Sequence, residues 1–281
     1  HAVPAGGDPR FTGAIADICA TEQVQVIVPL ADEEMVPLWE LSRKGVSVLA
    51  PRLDIVRMCL DKLRLMEVLQ GSAVRVPRTR LASQEVTGLK YPLVLKPRVG
   101  QGGRGIVRVE NESLLGRVLH ERAGALDSYV LQEFIEGAEY SVSVVVWRDR
   151  RVQAVVPQQV ARKAGYPSLA TTRRNPGLEE LCIEAAHALD ADGPLNVQAR
   201  TDASGTPYVL EIKPGLSRSS ILTVAAGVDE ISGLVAQALE QDGSALKNGW
   251  REGVVMLRHP MESFFEERAF AERHAALRKS G

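Results

Sequence analysis

The sequence predicts an α/β portion followed by an α+β portion, and three observations carry that prediction. Residues 10–50 alternate helical and strand-like apolar patterns, which implies parallel strands with helices packed on them. Residues 129–156 instead run strand after strand with only turns between, the pattern of an antiparallel sheet. The chain has 281 residues, 45% hydrophobic and 25% charged. That composition is globular, and the length suits about two domains.

Phe11, Ala14, Ile15, Ile18 and Cys19 recur at helical spacing, and the short β-branched run Val24 to Leu30 follows as a buried strand. Met35, Leu38, Trp39 and Leu41 mark a second helix ending near Gly45, and Val46 to Leu49 a second strand before Pro51. Two strands bury their faces poorly, so a preceding βα unit is expected upstream of His1, with residues 1 to about 8 a truncated edge. Ile55, Val56, Met58, Cys59, Leu63, Leu65, Met66 and Leu69 predict one long helix over 54–69, stopped by Gly71 and carrying Asp61-Lys62. A polar stretch leads to the strand Pro92 to Lys96, ended by Pro97. A glycine-rich loop, a strand at 106–109, a helix at 113–119 and strands at 129–132, 139–147 and 152–156 come next. Residues 157–176 lack periodicity and are expected to form a functional loop or mobile lid holding four cations. The rest reads as a helix at 178–189, a hairpin of 195–201 and 207–212 around Ser204-Gly205, a helix at 231–239 and an amphipathic segment from Phe264 to Leu277.

Lys and Arg total 34 against 35 Asp and Glu, so the chain lacks the basic excess of a nucleic-acid binder. Its longest apolar runs, such as Val142 to Trp147, fall far short of the roughly 20 residues of a membrane helix. Cys19, Cys59 and Cys182 are far apart, without a Cys-x-x-Cys pair, which argues against a zinc site or disulfide framework. No signal stretch follows His1, so the cytoplasm is the expected compartment.

Three clusters carry candidate chemistry. The first is Lys96-Pro97-Arg98-Val99-Gly100-Gln101-Gly102-Gly103-Arg104-Gly105 between two strands. Its glycines let backbone N–H groups approach phosphate oxygens, and Lys96 adds a positive charge; a plain hairpin tip is the alternative. The second is Gln132-Glu133-Phe134-Ile135-Glu136-Gly137-Ala138-Glu139. Phe134 and Ile135 offer main-chain groups and an apolar wall to a purine, and Glu133 and Glu139 accept from amino or ribose hydroxyl groups, unless both are merely solvated turn residues. The third joins Asn196-Val197-Gln198 on one strand to Glu211-Ile212-Lys213 on the next. Period 2 puts Glu211 and Lys213 on one face with Gln198 opposite, where oxygen donors suit magnesium; an ordinary Glu–Lys cross-strand pair is the alternative.

In this order, Asp61-Lys62, Tyr91 to Lys96, the Gly100 to Gly105 loop, Gln132 to Ile135, Asn196 to Gln198, Glu211 and Ser217-Arg218-Ser219-Ser220 resemble the ATP-grasp superfamily, and within it the carbamoyl-phosphate synthase large-chain type. The resemblance covers about three quarters of the chain. It implies an incomplete pre-ATP-grasp α/β domain over 1–60 and an ATP-grasp domain over 61–281, with a lid subdomain at about 75–135. It further implies ATP and Mg2+ as cofactors and transfer of the γ-phosphoryl group to a carboxylate, whose acylphosphate an amine or thiol then attacks. In that picture Lys62 and Lys96 contact phosphates, Gly102 and Gly103 cover them, and Gln132, Glu133, Phe134, Ile135 and Glu139 hold the adenosine. Gln198 and Glu211 bind metal. Arg218 leads the candidates for gripping the acceptor, ahead of Arg162, Lys163, Arg173 and Arg174. Small-molecule carboxylates and amines are the implied partners, and a homodimer is compatible with them.

The chain departs from the family pattern at one place. Glu-x-Asn-Pro-Arg is replaced by Glu211-Ile212-Lys213-Pro214-Gly215. A protonated lysine has no lone pair for a metal, so Lys213 is expected to weaken one magnesium site while its charge partly substitutes for the ion, and Gly215 supplies no cation. A catalytically impaired module that binds nucleotide or a partner is the alternative function.

Overall fold

The computed structural model describes residues 1–100, 102–163, 165–241, 246–259, 264 and 266–268, so most of the amphipathic segment predicted from Phe264 to Leu277 lies outside the described residues. The N-terminal unit contains α1 (Phe11–Thr21), β1 (Val26–Ile27), α2 (Asp32–Trp39), a 3-10 turn (Glu40–Lys44) and β2 (Ser47–Val48). β1 and β2 pair in parallel. This unit is tied down by polar contacts to the loop at 190–193: the Arg52 N–H donates to Asp192 Oδ1 (2.8 Å), and Arg148 donates to the carbonyls of Val48, Ala50 and Asp192. At Gly193 a Cβ would lie 2.5 Å from the Pro51 nitrogen, so only glycine permits this close approach.

The single helix expected over 54–69 is two helices, α3 (Leu53–Leu60) and α4 (Lys62–Gln70). Asp61 breaks them. Its extended backbone lets the carboxylate accept the N–H groups of Leu63 and Arg64, an N-cap that satisfies the orphan donors of α4. The same carboxylate takes a two-pronged contact from Arg98, at 2.8 and 2.7 Å. Burial works against its ionisation, but Arg98 and the capped N–H groups outweigh that and hold Asp61 below the usual carboxylate range. The break fixes Lys62 as the first residue of α4, aimed into the cleft below.

Two antiparallel sheets make up the rest. A four-stranded sheet, in order β3-β6-β4-β5, contains β3 (Thr79–Leu81), β4 (Leu93–Pro97), β5 (Val107–Val109) and β6 (Tyr129–Glu133), with α5 (Glu112–His120) between β5 and β6 in sequence. Leu93, Leu95, Val109 and Leu131 pack with Leu115 and Val118 of α5, which leaves Val94, Lys96 and Gln132 on the opposite face. A six-stranded sheet, in order β11-β10-β7-β8-β9-β12, contains β7 (Ala138–Val146), β8 (Val152–Lys163), β9 (Pro167–Thr172), β10 (Leu195–Thr201), β11 (Pro207–Lys213) and β12 (Val255–Leu257). One face buries Val142, Val144, Val197 and Ile212 against α3, α4 and α6 (Pro176–Ala188). The other buries Val145, Ala154 and Val156 against Ala226, Val228, Leu234 and Trp250, around α7 (Ser220–Ala226) and α8 (Glu230–Ala238).

The segment 157–176, expected as a loop, is mostly strand: β8 continues to Lys163 and β9 returns from Pro167. Its polar residues misled the pattern because Gln158, fully buried, finds an internal partner in Thr223, its Nε2 lying 2.8 Å from Oγ1. The short strands β3 and β12 and the seven-residue α7 carry too little periodicity to be read from sequence. Among the described residues no single helix is long and apolar enough to cross a membrane; only α7 and α8 together pass on length and composition, and they are bent by 101°.

Candidate active site

One face of the large sheet is apolar at one end and polar at the other. Register explains the polar end. Ser141 of β7, Gln198 of β10 and Glu211 of β11 lie side by side in one row; Ser143, Asn196 and Lys213 form the next. Leu210 is an extra residue, bulged between Val209 and Glu211 opposite Ala199 and Gln198. Its carbonyl turns toward the small sheet and accepts from Lys96 Nζ at 3.3 Å.

Lys96 therefore joins the two sheets. It is buried, donates also to Gln132 Oε1 at 2.9 Å, and Gln132 in turn donates to Thr79. Burial disfavours its ammonium; Glu211 opposes that, Lys62 adds to it, and the group is pulled down to about 8. Lys62, equally buried, donates to the Gly100 carbonyl (2.8 Å) and lies 3.4 Å from Glu211 Oε1. Gly100, Gly102, Gly103 and Arg104 line the same space as these groups. Gly102 and Gly103 adopt φ of 73° and 74°, the left-handed region where glycine is at home.

Lys62, Lys96, Gly100, Gly102, Gly103, Arg104, Lys163, Gln198, Glu211 and Lys213 surround a chamber of about 400 Å³. It opens into a second of about 300 Å³, lined among others by Asp32, Met35, Tyr166, Asn196, Ser217 and Arg218. Gly102, Arg104, Lys163, Gln198 and Lys213 line both, so Lys213 stands at the junction. Its ammonium is 3.5 Å from Asp32 of α2. Burial raises Asp32 above the usual carboxylate range, with Lys213 opposing. A Cβ on Gly215 would sit 2.8 Å from Met35 Cε, so the space where a side chain would begin is filled by α2.

The other expected residues fare differently. Glu133 accepts the Lys90 N–H (2.9 Å) and pairs with Arg78 (3.0 Å). The Phe134 ring is covered by the guanidinium groups of Arg108 and Arg200, 4.2 and 4.7 Å from its centre. Arg200 also donates to the Ile135 carbonyl (3.2 Å) and to Glu139 (3.0 Å), which pairs with Lys163 as well. Of this cluster only Glu139 lines a chamber described above. Arg218 is exposed at the rim of the second chamber, its guanidinium 5.7 Å from the Tyr166 ring, which Arg258 also approaches at 5.1 Å. Arg162 and Arg173 are exposed and line neither chamber, and Arg174 stacks on Trp250 at 3.6 Å and pairs with Glu179.

Sequence reading passed over Asp32, Met35, Arg104 and Tyr166. Asp32 heads an acidic run at a helix start, which looks like dipole compensation, and Arg104 was visible inside the loop without an assigned role. The three cysteines are buried free thiols, with burial pushing Cys59 and Cys182 up.

The donor set does not fit a resident divalent cation. Gln198 contributes a neutral amide oxygen, Glu211 is already beside Lys62, and Lys213 is the next residue along that face. Among the described residues no group of three or more His, Cys, Asp or Glu is placed to hold a metal.

A profile of the ATP-grasp domain matches residues 59–219. The chain is 27% identical over 212 residues to the D-alanine–D-alanine ligase of Halorhodospira halophila, covering 67% of each protein. It is 23% identical over 230 residues to the carbamoyl phosphate synthase large chain of Haemophilus ducreyi, covering 75% of this chain and 21% of that one. Its fold superposes on the biotin carboxylase domain of Hydrogenobacter thermophilus 2-oxoglutarate carboxylase, solved with MgADP, ADP and bicarbonate. The TM-score is 0.70 at 19% identity, over 85% of this chain and 60% of that one. The match over more than half the chain, together with a cation-lined cleft between two antiparallel sheets, places this chain in the ATP-grasp family of ATP-dependent ligases.

Proposed function

We propose that this chain uses ATP to activate a small-molecule carboxylate as its acylphosphate and passes the acyl group to an amine. The observation that carries the reading is the pair of communicating chambers, one walled by five basic side chains, the other by mixed polar and apolar groups with Arg218 at its rim. Two anions meet in such a reaction, so positive charge must offset their repulsion and hold them in line. Lys62 and Lys96 hold the phosphates, and Gly102 and Gly103 present N–H groups over them. Lys213, at the junction, faces the transferred phosphoryl group, and Arg218 receives the acceptor carboxylate. A carboxylate oxygen attacks the γ-phosphorus and ADP leaves. The amine then attacks the acyl carbon, phosphate leaves, and the amine proton passes to solvent.

The adenosine falls to the segment 132–139, with Arg200 released from Ile135 and Glu139 as the nucleotide enters. Thiol acceptors, a homodimer and a cytoplasmic setting belong to the same proposal; the three free thiols support the last. A second reading, nucleotide binding without efficient turnover, is favoured by one observation: Met35 fills the space in which a side chain at position 215 would begin.

The test is ADP release from ATP against a panel of carboxylates, with hydroxylamine added to trap acylphosphate as a hydroxamate. Carboxylate-dependent ADP and hydroxamate support ligation. ADP analogue binding without either product favours the second reading, and absence of nucleotide binding overturns both. Arg218→Ala is expected to raise KM for the carboxylate about ten-fold or more, the loss of one charge-assisted contact, with ATP affinity unchanged.

A further inference from the structure

The charge balance of the phosphate chamber departs from what a metal-bridged nucleotide needs. Lys62, Lys96, Arg104, Lys163 and Lys213 line it, against the carboxylate of Glu211 and those of Glu139 and Asp32, which pair with Lys163 and Lys213 from outside the lining, so the cations remain in excess. That carboxylate has an ammonium 3.4 Å away on one side, Lys62, and shares its strand face with Lys213 on the other. A divalent cation placed between Gln198 and Glu211 would gain one shared carboxylate and meet the repulsion of two ammonium groups. The polyphosphate of a nucleotide meets the opposite situation, since every one of these cations attracts it.

Lys213 is also held in place. Asp32 reaches it from α2 of the N-terminal unit at 3.5 Å, and α2 carries Met35 against Gly215 two residues on. The ammonium thus occupies a fixed position at the junction of the chambers, one register pair from Gln198 and Glu211, where the phosphates and the acceptor would meet.

We infer that this chain binds a nucleoside triphosphate free of divalent metal, with the Lys213 ammonium, anchored by Asp32, taking the place of a bridging ion. The inference rests on the nucleotide reading above. It separates this chain from the solved relative whose nucleotide is MgADP.

Calorimetric titration of the full chain with a non-hydrolysable ATP analogue at neutral pH, in EDTA and in magnesium chloride, tests it. The expected result is affinity in EDTA equal to or tighter than in magnesium. Lys213→Asn is expected to weaken binding in EDTA by about 10- to 100-fold, the usual effect of deleting a charge-assisted contact, and to make binding respond to magnesium. Lys213→Arg keeps the charge and is expected to stay near wild type in EDTA, which separates lost charge from lost fold. Magnesium tightening the wild type ten-fold or more, or Lys213→Asn binding normally in EDTA, overturns the inference and leaves the nucleotide reading standing. No binding under either condition overturns both.

Discussion

The proposed phosphate site and the proposed adenosine segment were both legible as polar clusters, yet they differ in how far the protein has already satisfied them. At the adenosine end acids and cations are matched within the fold: Glu133 with Arg78, Glu139 with Lys163 and Arg200, and Phe134 covered by two guanidinium groups. At the phosphate end five basic side chains meet Glu211 and, through Lys163 and Lys213, Glu139 and Asp32, which leaves the cations in excess. A matched cluster gains little from a ligand, because each new contact displaces an existing one. An unmatched one retains attraction for a partner of opposite charge, and the more so when its charges are buried.

The sharpest way to break this contrast is Lys96→Met, expected to weaken ATP-analogue binding by about 10- to 100-fold while the melting temperature hardly moves, because a costly buried charge leaves with the contact. Calorimetry paired with thermal denaturation checks both halves. A pH series comes next. Lys96 is pulled from the ordinary lysine value of 10.5 down to about 8, so the free protein loses this charge as pH rises past 8, and affinity should fall by about ten-fold by pH 9. Lys96→Met should flatten that slope. The sign for folding is opposite: burial disfavours the protonated form, so this group's contribution to stability rises between pH 8 and 10.5.

Gly103→Ala forces a side chain into the left-handed region at a cost of about 1 kcal/mol, roughly a five-fold loss of affinity. Because a Cβ there meets nothing within 4 Å, the loss of stability should not exceed that backbone cost of about 1 kcal/mol, and a larger drop in melting temperature would refute the assignment of this loop to the ligand rather than the core. Smallest of all is Glu133→Gln, expected to change affinity by no more than about three-fold, as for a half-exposed ion pair. A ten-fold loss in that variant would mean the adenosine end is not matched as described, and the comparison between the two ends would fail.

Much of the fold was readable because its strands follow apolar alternation and its helices carry periodic faces. The hairpin placing Gln198 against Glu211 came from period 2 alone, and the register bears it out. What escaped was set by long-range contacts. The Asp61 carboxylate that caps the second helix is also held by Arg98, 37 residues away, and Gln158 reads as a surface residue until Thr223, 65 residues on, supplies its partner. Asp32, 181 residues before Lys213, gives no local sign that it will anchor that ammonium.

The sequence by itself determined the family, through ordered motifs that resemble it, and the hairpin of β10 and β11 and the identity of the cationic residues, through local periodicity and the chemistry each side chain carries. Only the tertiary structure decided which charges remain available. Availability is a balance over all neighbours within a few ångströms, and those neighbours arrive from α2, α4, both sheets and the glycine loop. Lys213, two residues from Glu211, suggested an ordinary Glu–Lys pair; in space Glu211 lies beside Lys62 and Lys213 beside Asp32, and Lys96 and Arg104 add the chamber's excess positive charge.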